Sequence, residues 1–277
     1  MADSDSALSV TAEIAAIEDA LVAQWSTFGL APGGAWHEAD DLVWSEAPLR
    51  QLPYNAVLRT RLGADADERI ERVIRHFRER NVQFMWLLPP SATPHDLSAR
   101  LEASGLSLVE SVTGMSLDLA AWQDPGPQEG PIAYRRVSTT SDLDAYDELL
   151  AEYWELPEDS RAFPLGVSRW AHATNVPGAR WVALSDGVPV GKAYLSLKMA
   201  GDTAAIFGVY VRAAARGQGV ARRLNELAIR HALDLGLKRV VLHSSAMAVN
   251  VYKRLGFVDL CSIPVYATAS LHGAQPI

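Results

Sequence analysis

Arg216-Gly217-Gln218-Gly219-Val220-Ala221 decides how the second half of this chain is read. It follows a β-type run, Ala204 to Arg212, and leads into a helical one, Gln218 to Leu235, in which Leu224, Leu227, Ala228 and Leu235 are periodic. The first turn of a helix exposes N–H groups without intrahelical partners and carries roughly half a positive charge, so it binds phosphate readily. Gly217 and Gly219 let the backbone approach an anion, and the small Ala221 permits close helix packing. Arg216, Arg222 and Arg223 add positive charge nearby. Taken alone, the hexapeptide reads equally well as a surface turn with incidental glycines.

Working outward, Val240 to His243 is a strand, and Ala248-Val249-Asn250-Val251-Tyr252-Lys253-Arg254-Leu255-Gly256-Phe257 is a short helix stopped by Gly256. The two blocks, in this order and at this separation, resemble the GNAT superfamily (Gcn5-related N-acetyltransferases). Its pattern is Gln/Arg-x-x-Gly-x-Gly/Ala, followed later by a Tyr shortly before Gly-Phe. Arg216, Gly219 and Ala221 match the first block, and Tyr252 with Gly256-Phe257 the second. The resemblance covers about residues 131 to 277. It implies an α/β (mixed α+β) GNAT fold, with a central mixed sheet flanked by helices. It also implies acetyl-CoA or another short acyl-CoA as co-substrate, with no metal.

The resemblance assigns the pyrophosphate of coenzyme A to the backbone N–H groups of Gly217, Gln218, Gly219, Val220 and Ala221, beside Arg216. Backbone groups about Val209 and Val211 would pair with the pantetheine arm as an added strand does. Gly208 is either the bulge that frees them or a packing gap. Tyr252, on its helix alone a core aromatic, matches the family's general acid: a phenol stays protonated at neutral pH and can donate to the departing thiolate. Ser245 stands where the family often has Asn, so that cofactor contact passes to Ser245 or to Asn250. No Asp or Glu lies between Ala204 and Arg212, where a general base is often found. His243, Glu152 and Glu155 are the remaining candidates for that role. Cys261 reads as a small buried residue, which favours direct attack in a ternary complex over an acyl-enzyme.

Composition narrows the setting. The chain has 277 residues, more than one domain usually holds, and 49% are apolar, enough to fill two cores. The single cysteine excludes an internal disulfide framework. The longest apolar stretches are strand-length and Met1 to Thr11 is acidic, so neither a membrane span nor an export signal is read, and a cytoplasmic protein is expected. Residues 1–129 carry nine Lys and Arg against twenty Asp and Glu, whereas residues 130–277 carry sixteen against thirteen. Nucleic acid is disfavoured, because phosphate neutralisation needs clustered cations.

The Pro, Gly and Gln-rich stretch Gln123 to Pro131 reads as a linker between domains 1-128 and 129-277. Before it come a first helix marked by Ile14, Ile17, Leu21, Trp25 and Phe28, a strand at Ala56 to Leu62, and a helix at Ala66 to Arg80. A strand at Val82 to Leu88, a helix at Pro94 to Ser104 and strands at Leu106 to Leu119 follow. After the linker, Ile132 to Val137 is a strand, Ser141 with Asp144 marks a helix start, and Pro157, Pro164 and Pro177 mark a loop. Strands follow at Arg180 to Leu184, Val190 to Lys198 and Phe257 to Thr268.

Ala56 to Leu119 and Ala204 to Ala269 share one order of elements, suggesting a degenerate duplication. The first copy reads Gly63-Ala64-Asp65-Ala66-Asp67-Glu68 where a cofactor loop would stand. Carboxylates there cap a helix and repel pyrophosphate. The first half is therefore a degenerate GNAT-like domain that binds no coenzyme A. Trp36, Trp44 and Trp86 serve there as core or pocket walls. The function expected is acyl-CoA-dependent N-acyltransfer, N-acetyltransfer foremost, to a primary amine of a small molecule. A non-catalytic acyl-CoA sensor and an aminoacyl-tRNA-dependent transferase are the competing readings. The sequence leaves the acceptor, the acyl length and the oligomeric state open, a homodimer included.

Overall fold

A computed structural model describes residues 2–126, 130–155 and 157–268 of the protein, with side chains from residue 10 onward. The linker reading at Gln123 to Pro131 falls partly outside the described residues, as does Ala269 at the end of the second repeat.

In chain order the elements are α1 (Ala2–Leu30), β1 (Ala35–Glu38), β2 (Leu42–Glu46), β3 (Ala56–Thr60), α2 (Ala66–Glu79), β4 (Met85–Leu87), α3 (Leu97–Ala103) and β5 (Ser107–Asp118). They continue with β6 (Ile132–Arg136), α4 (Thr140–Tyr153), α5 (Ala162–Ala173), β7 (Gly178–Ser185), β8 (Val188–Ser196) and β9 (Thr203–Val211). The last are α6 (Val220–Asp234), β10 (Arg239–Ser244), α7 (Val249–Arg254) and β11 (Val258–Ala267). The chain forms two compact units, and neither is one continuous piece of chain. The first takes residues up to Gly114 together with Ser244–Ala246 and the chain from Leu260; the second takes Met115–His243 and Met247–Asp259.

In the first unit the strand order is β1-β2-β3-β4-β11-β5. β1, β2 and β3 are antiparallel, β3 and β4 are parallel, and Met85–Leu87 of β4 pairs antiparallel with Val265–Ala267 of β11. The parallel pair is joined through α2, whose Ala66, Ile70, Val73, Ile74 and Phe77 recur at helical spacing and are buried. Phe77 stacks on Phe84 at 4.4 Å between ring centroids, in a core completed by Trp86, Leu97, Leu101, Leu106 and Tyr266. The Trp86 indole donates to Thr60 Oγ1 at 2.8 Å, so this tryptophan is a satisfied core residue. Trp44 is half-buried against His37 and Phe77.

In the second unit the order is β5-β10-β9-β8-β7-β6, the β5 segment here being Met115–Asp118. β6 to β9 are antiparallel, and β9 and β10 run parallel through α6. α6 buries Val220, Leu224, Ala228, Ile229 and Ala232 against β8, β9 and β10. The same order of elements occurs twice along the chain, β3-α2-β4-α3-β5 and β9-α6-β10-α7-β11, each beginning with a parallel pair, although most of β11 belongs to the first unit and the end of β5 to the second.

Four local expectations change. β1 and β2 were not read from the sequence, being only four and five residues long. Leu106 to Leu119 and Phe257 to Thr268 are each one strand, not several. α4 starts two residues earlier than Ser141 suggests, because Thr139 and Asp142 form the capping box: Thr139 Oγ1 accepts from Asp142 N, and Asp142 Oδ2 accepts from Thr139 N, both at 3.1 Å. The Pro157 to Pro177 loop contains α5, since Pro164 lies in its first turn, where a backbone N–H is not needed.

β11 supplies Ile263, Val265, Tyr266 and Ala267, all buried, to the first unit. Ending the chain after Cys261 removes several large apolar contacts at about 1.5–3 kcal/mol each, a total comparable to the whole ~5–15 kcal/mol stability of a domain. We expect that truncation to abolish cooperative unfolding of the first unit, followed through fluorescence of Trp86, the cross-strand partner of Tyr266. A native-like transition would contradict the assignment of β11.

Candidate active site

β9 carries the irregularity on which the site is built. Against β8, Lys192 faces Tyr210 and Tyr194 faces Phe207, so β9 has one residue more than its partner over this interval. Gly208 sits in that bulge with φ of +57°, a conformation side chains rarely adopt. On the other side, the parallel register of β9 with β10 ends at Ile206 and Leu242. Residues 207–211 thus keep β8 as strand partner and turn their other edge away from β10. Such an edge can accept an extended ligand as an added strand. Val209 is half-buried and Val211 buried along it.

β9 leads through a single 3-10 turn, Ala213–Ala215, into the glycine loop. Gly217 has φ of +76° and Gly219 +80°, and a Cβ at either would meet no atom within 4 Å, so open space lies over the loop. Residues 216–219 are exposed, and α6 begins at Val220 with its first backbone turn bond from Arg223 N to Gly219 O at 2.9 Å. The preceding N–H groups of this turn have no intrahelical acceptor. The three arginines are not equivalent. Arg222 and Arg223 share the one carboxylate of the buried Glu226, at 2.7 and 3.2 Å, which balances one of their two charges. Arg216 makes no ion pair among the described residues and donates from Nε to Val211 O at 3.2 Å.

Tyr252 lies on α7 in the core of the second unit, with its ring edge-on to Phe257 at 5.8 Å. Burial alone pushes its phenol up to about 12, so it holds its proton throughout the neutral range. His243 ends the strand core of β10 with its ring beside Phe207, 6.0 Å between centroids. Glu152, on α4, receives Arg212 Nη2 at 2.6 Å and Nε at 2.9 Å, and Tyr210 Oη at 3.5 Å. The Arg212 guanidinium holds this carboxyl below its usual range, which makes it a weak proton acceptor. Glu155 is exposed, with φ of +48°. Ser245 is buried and counted with the first unit, its carbonyl accepting from Ser244 Oγ, whereas Asn250 is exposed on α7. Cys261 belongs to the first unit, and burial pushes its thiol up to about 11, leaving it protonated.

One residue was missed from the sequence. Lys192 is buried in the middle of β8, its Nζ donating to Gly208 O at 2.7 Å. The available signal was a lysine inside the otherwise strand-forming run Val188 to Ser196. Alternation assigns its face: a Cβ on neighbouring Gly191 would meet Val220 and Leu224 of α6, so Lys192 points the opposite way, toward Tyr146 and Tyr153 of α4.

At the equivalent loop of the first unit, Asp67 pairs with Arg100 and Glu68 with Arg72. Asp65 is at the N-cap of α2 but makes no side-chain cap bond, contrary to the capping expected of it; its carboxylate lies 3.9 Å from Arg69. Among the described residues there is no group of three or more His, Cys, Asp or Glu able to hold a metal ion, and no helix long and apolar enough to cross a membrane.

Residues 143–257 match the Acetyltransferase (GNAT) family model. A curated relative, the mycothiol acetyltransferase of Cellulomonas flavigena, is 27% identical over 194 residues, 63% of this chain and 56% of that protein. The chain thus spans little more than half the length of that relative. Among solved structures, a GCN5-related N-acetyltransferase from Kribbella flavida aligns with a TM-score of 0.66 at 17% identity, covering 89% of this chain and 93% of that one. A tandem GNAT protein from the clavulanic acid biosynthesis pathway aligns at 0.61 and 14% identity, covering 89% and 85%. Residues 143–257 thus resemble the GNAT family, and the chain shares the fold of a tandem GNAT.

The loop geometry leads to a direct test. Gly219→Glu forces a side chain into a left-handed backbone, at about 1–2 kcal/mol, and sets a carboxylate where the helix dipole favours an anion. We expect acetyl-CoA affinity, measured by calorimetry, to fall at least about tenfold, the equivalent of ~1.4 kcal/mol. Unchanged binding would remove the loop from the site.

Proposed function

We propose that this protein transfers an acyl group, acetyl foremost, from acyl-CoA to a primary amine of a small molecule, by direct attack in a ternary complex. The observation that carries the reading is the gathering, in one unit, of an anion-ready helix start, a one-sided strand edge leading to it, and a buried phenol. The helix start would take the pyrophosphate of the donor on the N–H groups of Gly217 to Ala221, with Arg216 beside them. The edge at Val209 and Val211 would pair with the pantetheine amides, holding the thioester near the bulge.

Acyl transfer then needs a neutral amine to form its N–C bond as the C–S bond breaks. The electron pair of that bond leaves with sulfur, and Tyr252 Oη supplies the proton that neutralises it. A phenol raised to about 12 suits that task, because it is fully protonated before the step. The amine loses its own proton to His243 or to water. Glu152, held by Arg212, is a poor alternative base. A protonated, half-buried Cys261 supports direct transfer over an acyl-cysteine.

On this reading residues 129–277 form the acyltransferase half and residues 1–128 a degenerate GNAT-like half without a cofactor loop. The carboxylates at the start of α2 favour that division, since Asp65, Asp67 and Glu68 would repel a diphosphate. Calorimetry is expected to give one acetyl-CoA per chain; two would return a cofactor site to the first half.

Tyr252→Phe keeps the ring and removes the proton. Turnover, read as thiol release with a panel of primary amines, is expected to fall by about 10²-fold or more, within the range for general acid catalysis, with acetyl-CoA affinity within a factor of about two of wild type. Equal turnover would sink the assignment of Tyr252. Binding of acetyl-CoA without thiol release from any amine would favour the sensor reading over the enzyme.

A further inference from the structure

Lys192 is 1% exposed, the only lysine among the largest fully buried side chains of the described residues. The reaction described above gives it no part. Around it lie the rings of Tyr153 and Tyr146, 4.5 and 5.2 Å from Nζ, and the Arg180 guanidinium, which stacks over Tyr146 and Tyr194. The nearest acid in this cluster, Asp147, is engaged by Arg169 at 3.0 Å. Burial first, and Arg180 second, push the amine down to about 7. An amine in such a place is expensive to bury, and an apolar side chain of similar length would fill the space at less cost. Its single hydrogen bond goes to the carbonyl of the bulge residue, Gly208. A carbonyl shielded from water and left without a donor is costly, and the extra residue of a bulge leaves ladder groups unpaired. The amine donates whether charged or neutral, so the contact persists on both sides of neutrality.

We propose that Lys192 is a positioning residue: by holding the Gly208 carbonyl it fixes the bulge that turns residues 207–211 away from β10, and thereby sets the edge along which the acyl donor lies. The use of that edge rests on the function proposed above; the hold on the bulge does not.

Lys192→Met keeps length and volume and removes the donor. Because an apolar replacement of a buried charge is often neutral or stabilising, Tm is expected to stay or rise. Backbone amide exchange on the full chain without ligand is expected to quicken at 207–211 and to stay unchanged at 203–206. With acetyl-CoA and an accepted amine, kcat is expected to drop up to ~10²-fold, as for a small misplacement of reacting groups, with KM for the amine nearly constant. Gly208→Ala, whose Cβ would lie 3.1 Å from Lys192 Nζ at a positive φ, should give the same exchange pattern and serves if the first variant does not fold. Unchanged exchange at 207–211 in a folded variant overturns the proposal, as does a lowered Tm with exchange raised evenly along β9. Quickened exchange in a protein whose wild type acylates no amine would leave the hold standing and remove the function.

Discussion

The parting of two parallel strands governs this molecule. β9 and β10 are hydrogen-bonded only as far as Ile206 and Leu242, and beyond that point β9 keeps one neighbour. A strand inside a sheet normally has both edges filled, and an open one is a place for another chain or ligand to pair. Beside the opening β9 carries one extra residue against β8, with Gly208 at a positive φ that redirects the backbone without a side chain in the way. The same strand then delivers the glycine loop and α6. In the function proposed here, an extended amide arm would lie along that edge and a diphosphate at the loop.

Electrostatics refine that path. Cationic residues outnumber anionic ones in the second half, yet much of the excess is already spent: Arg222 and Arg223 on Glu226, and Arg212 on Glu148 and Glu152. Any anion at the loop would therefore depend on backbone N–H groups and Arg216 more than on the number of nearby arginines. The Arg212 ion pair holds Glu152 as a carboxylate, while burial keeps the Tyr252 phenol protonated.

The two units share a motif but differ at the start of its helix. In both, a parallel pair is joined through a helix that buries an apolar stripe. The helix start differs: glycines with positive φ over open space in one, carboxylates paired with arginines in the other. A few side chains at a helix N-terminus decide whether its dipole meets an incoming anion or is already answered within the protein.

The backbone form of the loop at 216–221, of the helix after it and of the Tyr252 segment was legible because it is set locally. Left-handed turns select glycine, buried helix faces repeat every three to four residues, and a helix ends at a glycine such as Gly256. The two-part repeat was legible for the same reason. Short strands β1 and β2 were not, since four or five residues carry too little periodicity, and α5 was masked by a proline that its first turn tolerates. The pairing of Glu152 with Arg212, the placing of β11 in the first unit and the burial of Lys192 against Gly208 join residues sixteen or more positions apart. No spacing rule links such residues along the chain. They meet through sheet register and packing, which only the tertiary structure decides.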